Sequence, residues 1–386
     1  MRNLVMYLSY IFLVSACHPK VYQVSSDTFK SYLVTPQQFG AIGDGKNDDG
    51  GALQKAVDFC IVNKKKLYIP TGTYRTTKSL IISGKLVLEG ESRDGSYIWY
   101  DPAGKESLWI IDANRESEGL NISNIKFGLR GFGVGKNDIH CFIVKNSRIA
   151  RWTFSNLEFF GFTGYGLYLT GKDTYGQNLA FRDLSFYRMG GMIGQNNDRG
   201  INNWWTNLVI FENIHLDAYS GHSINLQSPQ QYIFDMRGWR MVNITNLLIE
   251  GSIKPGANIK ASVRLGGGYT SKGSNYIGLG NVIILGYWEE FSSKNKPAFS
   301  FEINEGVSFI EIKDIQARKF QINADALSLN IDGIRLHGLN TKDRFEVNGN
   351  AKVVLNNVLN SMDGTVNLSH RGNSNIEIQS VINKFN

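Results

Sequence analysis

The sequence predicts an all-β protein, a single-stranded right-handed parallel β-helix with a capping helix at its N-terminus. An Asn or Asp followed by alternating apolar residues recurs along the chain, and the apolar anchors lie 32, 27, 30, 33, 35 and 33 residues apart. That period is typical of one coil of a solenoid. Because stacked strands lie about 4.8 Å apart, the Asn side chains can bond along a ladder while apolar side chains fill the interior. The repeats begin at Asn124, Asn156, Asp183, Asn213, Asn246, Asn281 and Asp314.

The first residues have the pattern of a bacterial export signal. Arg2 precedes an apolar run over residues 4–14, and small residues then lead to Cys17, which resembles a lipobox. We therefore expect a lipoprotein held to a bacterial membrane by its lipid alone, on the periplasmic or outer side. Secretion after cleavage of an ordinary signal peptide is the alternative. The predicted division is a signal peptide over 1–16, a tether over 17–33 and one β-helix domain over 34–386.

The segment that follows the tether predicts a helix that closes the first coil. Asp48 and Asp49 suit the N-cap position, and apolar residues follow at helical spacing from Ala52 to Ile61. The open strand edge of a solenoid would otherwise pair with another chain. We therefore expect this helix to cover that edge.

Two neighbouring motifs carry a resemblance to a known superfamily. Phe39–Gln54 reads FGAIGDGKNDDGGALQ, and Leu67–Tyr74 reads LYIPTGTY. Together they resemble the opening of the pectate-lyase-like superfamily, which includes polygalacturonases, rhamnogalacturonases, polysaccharide lyases and phage tailspikes. The resemblance implies a right-handed parallel β-helix. Since both motifs are structural in that superfamily, they leave the chemistry open.

Charge and cysteine content limit the partners and cofactors. The chain has 41 Lys and Arg against 34 Asp and Glu, and its formal charge of +7 favours a polyanion such as an acidic polysaccharide. No stripe of Lys and Arg recurs from coil to coil, so nucleic acid is not expected. Cys60 and Cys141 are expected to be buried thiols rather than a disulfide. No cofactor is expected, because zinc-site spacing is absent. Calcium is the open alternative, although Asp198 and Asp217 form no clear calcium motif.

The resemblance also implies where a cleft would lie. In the similar enzymes, the strand that follows each Asn-Ile strand presents outward side chains to a long groove. The corresponding strands here are expected at 166–169, 192–194, 223–226, 263–265 and 299–303, with polar loops at 170–178, 195–207, 227–238 and 266–275 as the cleft walls. Alternation along these strands predicts that Tyr168, Met192, Asn225, Arg264 and Glu302 face outward.

Aromatic side chains near these strands suggest sugar stacking. A flat apolar ring surface is what the C–H face of a sugar packs on. For two of these tryptophans, Trp204 and Trp205, the alternative is that they seal the stack beneath a loop. The candidates are Trp204, Trp205, Tyr232 and Trp239.

The stretch Ser220–Ile224 resembles the Gly-His-Gly strand start of polygalacturonases, with His222 in the middle. The two preceding coils lack the Asp residues that those hydrolases carry, and glycoside hydrolysis needs two carboxyl groups. Loop carboxylates at Asp198, Asp217 or Asp235 are the alternative source of such a pair.

β-Elimination from a uronic acid needs a base and cationic groups that offset the adjacent carboxylate. The middle coils supply both. The expected catalytic residues are His222, Arg264, Tyr168 and Lys172. Substrate binding is expected from Tyr165, Asn225, Arg199 and Arg237, together with the four aromatic residues named above.

The sequence therefore predicts a secreted carbohydrate-active protein that acts on a polysaccharide, with an acidic polysaccharide and β-elimination favoured. A glycoside hydrolase with relocated carboxylates is the first alternative. A non-catalytic glycan-binding β-helix is the second.

Overall fold

A computed structural model describes most of the chain from residue 33 onward. The described residues are 33–111, 117–131, 139–171, 174–196, 206–217, 232–236, 239–251, 259–266, 281–291, 297–304, 309–317, 320–323, 328–336, 344–348, 351–360, 367–371, 375–379 and 381–383. The signal peptide, the lipidated Cys17 and the tether before residue 33 lie outside them and stay predictions.

The described residues at the N-terminus form the predicted cap. A 3₁₀ helix over Pro36–Phe39 is followed by α1 (Gly50–Asn63), whose buried face includes Leu53 and Cys60. Asp49 occupies the N-cap position, but its carboxylate accepts the N–H groups of residues 42 and 43 at 2.7 and 3.0 Å. The Asp48 carboxylate instead accepts the first helical N–H, that of Gly50, at 3.0 Å. Both predicted caps are therefore used, one to hold the loop and one to start the helix.

Parallel strands make up nearly all of the rest and form two sheets. Sheet A contains β1 (Leu33–Val34), β2 (Lys66–Ile69), β3 (Gly72–Thr76), β5 (Leu86–Gly90), β6 (Ser96–Tyr100), β8 (Ser117–Glu118), β9 (Leu120–Leu129), β11 (Arg148–Phe160), β13 (Tyr175–Tyr187), β15 (Thr206–Asp217), β17 (Trp239–Gly251), β19 (Asn281–Phe291), β21 (Phe309–Ala317), β23 (Ser328–Leu336), β25 (Lys352–Asn356), β26 (Val358–Asn360), β28 (Asn375–Ile378) and β29 (Val381–Asn383). Sheet B contains β4 (Leu80–Ile81), β7 (Trp109–Ile111), β10 (Phe142–Lys145), β12 (Tyr165–Thr170), β14 (Gly191–Asn196), β16 (Tyr232–Met236), β18 (Ala261–Leu265), β20 (Phe299–Asn304), β22 (Phe320–Asn323), β24 (Arg344–Asn348) and β27 (Asn367–Arg371).

Several long strands of sheet A have two residues in the left-handed region, and a bend at the later one divides the strand, so that each coil has three walls. In β15 the bend is at Asn213, with φ +54°. We call the strand halves before the bend wall 1, the halves after it wall 2, and sheet B wall 3. Asn and Asp tolerate positive φ better than other residues with a Cβ, which explains their recurrence at this point. The structure confirms the predicted right-handed β-helix.

The predicted Asn ladder is also present. The amide of Asn156 donates to Asn124 at 2.9 Å, and the amide of Asn246 donates to Asn213 at 2.9 Å. One predicted repeat start is wrong: Asn281 lies in wall 1, and the residue aligned with Asn246 is Gly286, at φ +82°. Glycine replaces Asn there because it adopts positive φ without a Cβ penalty.

The inward side chains stack coil on coil. In wall 2 the column that contains Ile214 is buried throughout, at 2% exposure or less for each member. Aromatic rings add a second column, in which Phe159 and Phe186 stack with their centroids 4.7 Å apart. The two cysteines, Cys60 and Cys141, are buried free thiols, as predicted. From β9 to β21 the aligned members of the Ile214 column are Ile125, Leu157, Leu184, Ile214, Leu247, Tyr287 and Ile315.

Wall 3 follows the prediction except in one coil. β12, β14, β18 and β20 coincide with predicted strands, and their inward residues are buried. In the coil of β15, however, the strand aligned with Ile193 is β16, with Phe234 at the paired position. The expected strand at 223–226 lies outside the described residues, and the expected loop at 227–238 contains β16. The loop prediction is wrong, because residues 232–236 form the strand that fills this place in wall 3.

Among the described residues, no helix combines the length and the apolar character needed to cross a membrane.

Candidate functional site

Wall 3 brings several of the predicted site residues together. Asp235 pairs in register with Arg264, and Arg264 pairs in register with Glu302, so the three side chains form one outward column. Tyr168 lies in the same column in β12, two strands before Asp235, and Gly194 occupies the place between them. The prediction that Tyr168, Arg264 and Glu302 share a surface is therefore confirmed, while their chemical roles stay predictions.

The charged part of this column is a closed network. The hydroxyl of Tyr232 donates to both carboxylate oxygens of Glu302 at 3.0 and 3.1 Å. The guanidinium of Arg264 lies 4.5 Å from the ring centre of Tyr232, and its Nε is 3.3 Å from Oε1 of Glu302. Burial raises the pKa of Tyr232, an effect that Arg264 opposes and Glu302 increases. The Tyr232 hydroxyl therefore keeps its proton at neutral pH and donates both hydrogen bonds to Glu302.

The aromatic part of wall 3 is equally closed. The rings of His140 and Tyr168 stack with centroids 4.1 Å apart, and Tyr165 lies parallel to Tyr168 at 5.8 Å. Nδ1 of His140 accepts the backbone N–H of Tyr165 at 2.8 Å. Burial lowers the pKa of His140 to about 3, so the imidazole is neutral at physiological pH. The hydroxyl of Tyr165 donates to the carbonyl of Tyr232 at 2.6 Å, which joins the two parts.

Little of this network reaches solvent. Asp235 is 0% and Glu302 8% exposed, although both occupy outward positions. The expectation that Trp239 lines the cleft is wrong, because its ring is buried in the core and stacks on Phe211 at 5.9 Å. Several predicted site residues lie outside the described residues, so their roles stay predictions: Lys172, Asp198, Arg199, Trp204, Trp205, His222, Asn225 and Arg237.

A more open arrangement lies on wall 2. Asp217 pairs in register with Glu250, and Glu250 pairs in register with Glu290, so three carboxylates follow one another on successive coils. Glu290 is exposed, and Asp217 and Glu250 are partly exposed. Strand spacing separates neighbouring backbones by about 4.8 Å, and therefore the outer two by about 10 Å.

The adjacent outward column supplies a histidine and an exposed aromatic ring. His215 Nε2 lies 2.9 Å from Oε1 of Glu250. The ring of Tyr187 meets His215 edge to face, with centroids 6.0 Å apart. His215 pairs in register with Leu248, and Leu248 pairs with Trp288, which is 42% exposed. Wall 2 thus places a sugar-sized apolar surface beside the carboxylates.

A pocket of about 430 Å³ lies beside Glu250 and Trp288. Its described lining comprises Asn246, Leu247, Leu248, Glu250, Gly286, Tyr287, Trp288 and Asp314. In the part of the chain that the structure describes, no three His, Cys, Asp or Glu residues are grouped closely enough to hold a metal ion. Of the three carboxylates in the wall 2 row, Glu250 lines this pocket.

Carboxylates spaced in this way can perform glycoside hydrolysis. A retaining mechanism uses two carboxyl groups about 5–5.5 Å apart, and an inverting mechanism uses a separation of about 6.5–9.5 Å. The strand spacing of about 4.8 Å between neighbouring coils is close to the shorter separation, whereas the roughly 10 Å between the strands of Asp217 and Glu290 exceeds the longer range. Of the predicted carboxylates, Asp217 thus belongs to this row, whereas Asp235 belongs to the covered network of wall 3.

Sequence reasoning missed Glu250, Glu290 and Trp288, although the sequence carries a signal for them. Asp217 is the fourth residue after Asn213, and Glu250 is the fourth after Asn246. Glu290 is likewise the fourth residue after Gly286. The predicted start of that repeat is Asn281, however, so this offset does not show in the sequence pattern. A search for carboxylates at one fixed offset from the ladder would have found the first two.

The structure is a parallel β-helix, and comparison with known families agrees with this fold. The chain belongs to the pectate lyase-like family of rhamnogalacturonase A and epimerases, which matches residues 34–233. This confirms the resemblance carried by the two N-terminal motifs.

Two phage proteins are similar in sequence. A capsule K30/K69-specific depolymerase of Klebsiella phage K64-1 is 30% identical over 159 residues, which is 37% of this chain and 20% of that protein. The pre-neck appendage protein of Bacillus phage B103 is 34% identical over 115 residues, 28% of this chain and 13% of that protein. The chain thus matches only a small part of the length of these relatives.

Among solved structures, tailspike protein 3 of bacteriophage CBA120 has a TM-score of 0.53 at 12% identity, covering 93% of this chain and 58% of that one. Pre-mature gene product 12 of bacteriophage phi29 has a TM-score of 0.51 at 13% identity, with coverage of 85% and 45%. Both similarities concern the fold.

Proposed function

We propose that this protein degrades a polysaccharide by hydrolysis along wall 2. The observation that carries the proposal is the row Asp217–Glu250–Glu290, which lies on three successive coils beside the exposed ring of Trp288. The capsule-specific depolymerase among the similar proteins supports a bacterial surface polysaccharide as the substrate class.

Glu250 is the central catalytic residue of the proposal. It lines the pocket, and His215 holds one of its oxygens at 2.9 Å. A carboxylate on a neighbouring coil, Asp217 or Glu290, completes the pair. Since either neighbour is one strand spacing away, the proposal predicts retention of configuration at the anomeric carbon.

β-Elimination, which the sequence favoured, is the competing chemistry. Arg264 is the described candidate for offsetting a uronate carboxylate, but its charge is already opposed by Glu302 at 3.3 Å. The raised pKa of Tyr232 also disfavours that hydroxyl as a base. His222 and Lys172 lie outside the described residues. The products of the reaction therefore distinguish elimination from hydrolysis.

The test is a product assay on a panel of bacterial polysaccharides. The wild-type protein is expected to form new reducing ends without the ultraviolet absorbance of an unsaturated uronate. Proton NMR of the first product is expected to show the same anomeric configuration as the cleaved linkage. Glu250→Gln is expected to lower turnover by about 10²–10⁴-fold, the range typical of a lost acid–base group.

Glu302→Gln is the matched control, since it makes the same change in the covered network of wall 3. It is expected to lower thermal stability and to leave turnover within about tenfold. Formation of unsaturated product, or full activity of a folded Glu250→Gln variant, would contradict hydrolysis at wall 2.

A further inference from the structure

One position of the Asn ladder is a glycine, and the pocket on wall 2 opens there. Gly286 aligns with Asn246 in the preceding coil and with Asp314 in the following coil. A Cβ at position 286 would lie 2.9 Å from Oδ1 of Asn246. The ladder lacks a side chain at this position, a side chain there would push the Asn246 amide aside, and Gly286 itself lines the pocket.

The sides of this space suit a sugar ring. Trp288 and Leu248 are register partners on neighbouring coils, and the Trp288 ring is 42% exposed. An exposed indole packs well against the C–H face of a pyranose, and burial of that face is favourable. The pocket volume of about 430 Å³ lies in the range of small-molecule sites, about 300–1,000 Å³. It is sufficient for a sugar residue.

Hydrogen-bond acceptors lie around the apolar surface. Oδ1 of Asn246 faces the space at 286, and the carboxylates of Glu250 and Asp314 belong to the lining. Such groups accept hydrogen bonds from sugar hydroxyls or from an amino group.

The local charge excludes an acidic ring. Among the eight described residues that line the pocket, two are acidic and none is Lys, Arg or His. A uronate in this position would meet negative charge at short range, which costs several kcal/mol in an interface. The formal charge of +7 of the whole chain has little influence here, because solvent screens distant charges over about 8 Å.

We propose that the pocket at Gly286 is a subsite for one neutral or amino-sugar residue, with Gly286 as its specificity-determining position. The inference rests on the proposed function for the polymeric nature of the ligand and adds the class of sugar. It replaces the acidic polysaccharide that overall charge favoured with a substrate that is uncharged or cationic at this position.

The first variant is Gly286→Asn, which restores the missing ladder side chain. Asn accepts the local φ of +82°, as it does at Asn246, so the fold should be retained. Its side chain pushes aside the Asn246 amide in the pocket lining, and the affinity for the polysaccharide is expected to fall at least about tenfold. Trp288→Ala, which removes the stacking surface, should weaken binding by about the same factor.

Gly333→Asn is the matched control. Gly333 is a second ladder glycine at φ +69°, and its Cβ position lies 3.1 Å from Oδ1 of Asp314 on the side away from Gly286. It is not among the pocket residues, and its contact with the pocket is through Asp314, so the same substitution should lower affinity far less than Gly286→Asn does. Thermal melts of both variants verify that the fold is intact.

Binding is measured on an array of neutral, amino-sugar and uronate polysaccharides, followed by titration of the best ligand. Preference for a neutral or amino-sugar polymer, lost in Gly286→Asn and kept in Gly333→Asn, is the expected result. Preference for a uronate polymer, binding to none of the neutral or amino-sugar polymers, or full affinity of a folded Gly286→Asn variant would overturn the subsite.

The two proposals fail in different ways. Binding that depends on Gly286, without cleavage by the wild-type protein, would support the subsite and contradict hydrolysis. Cleavage that requires Glu250 but is unaffected by Gly286→Asn would support hydrolysis and contradict the subsite.

Discussion

Replacement of Asn213 tests how the ladder stabilises the solenoid. Its amide donates to Asp183 at 2.9 Å, and its carbonyl accepts from Asn246 at 2.9 Å. Each such bond contributes about 0.5–1.5 kcal/mol net, so loss of both costs about 1–3 kcal/mol. Asn213 also has φ +54°, a conformation that costs an alanine about 1–2 kcal/mol.

Two substitutions separate these terms. Asn213→Ala loses the bonds and adds backbone strain, for an expected loss of about 2–5 kcal/mol. Asn213→Gly loses the same bonds without the strain, as the natural glycine at 286 shows, and should be more stable than the alanine variant by about 1 kcal/mol. Asn281→Ala is the control, because Asn281 lies outside the ladder and its loss should cost under about 0.5 kcal/mol.

The assay is urea unfolding followed by circular dichroism. The free energies of unfolding are compared among variants whose dependence on urea concentration, the m value, is the same. An alanine variant as stable as the glycine variant would refute the strain argument. Wild-type stability for both would show that the ladder bonds contribute nothing.

Three further predictions concern the core, the covered histidine and the N-terminus. Ile214→Asp should cost several kcal/mol because Ile214 is 2% exposed in the core, whereas His215→Ala should melt like the wild type; equal melts would mean a wrong strand register. Burial lowers the pKa of His140 to about 3, whereas its unfolded pKa is near 6.5, so the stability present above pH 6.5 should be lost as the pH falls towards 3. His140→Gln should reduce that loss, which is measured as the urea midpoint from about pH 7 to about pH 4. Cys17→Ser should abolish detergent-phase partitioning of the expressed protein, and unchanged partitioning would contradict a lipid anchor.

Much of the fold was predictable because positive φ restricts residue choice. Asn213 and its equivalents recur because few side chains tolerate the bend between walls 1 and 2, and this local demand is visible in the sequence. The pattern misled where Gly286 replaced Asn, since glycine also satisfies the bend and Asn281 preceded an equally apolar stretch. Local pattern cannot distinguish the two, whereas strand pairing does.

The site was less predictable because function depends on register between coils. Asp217, Glu250 and Glu290 are separated by 33 and 40 residues, and they become neighbours only when the strands pair. Outward positions can also be covered, as with Asp235 at 0% exposure, and alternation along a strand does not reveal that. The sequence therefore predicted the direction of side chains better than their exposure.

Hydroxyl-radical footprinting of the protein, with and without the polysaccharide that it cleaves, tests most directly whether wall 2 is the substrate-binding surface. In the free protein Trp288, at 42% exposure, should be oxidised readily, and wall 3 side chains such as Tyr165, at 0%, should not. Hydrolysis at wall 2 predicts that the polysaccharide protects Trp288 and His215. Unchanged oxidation of both residues in the presence of the polysaccharide would contradict it.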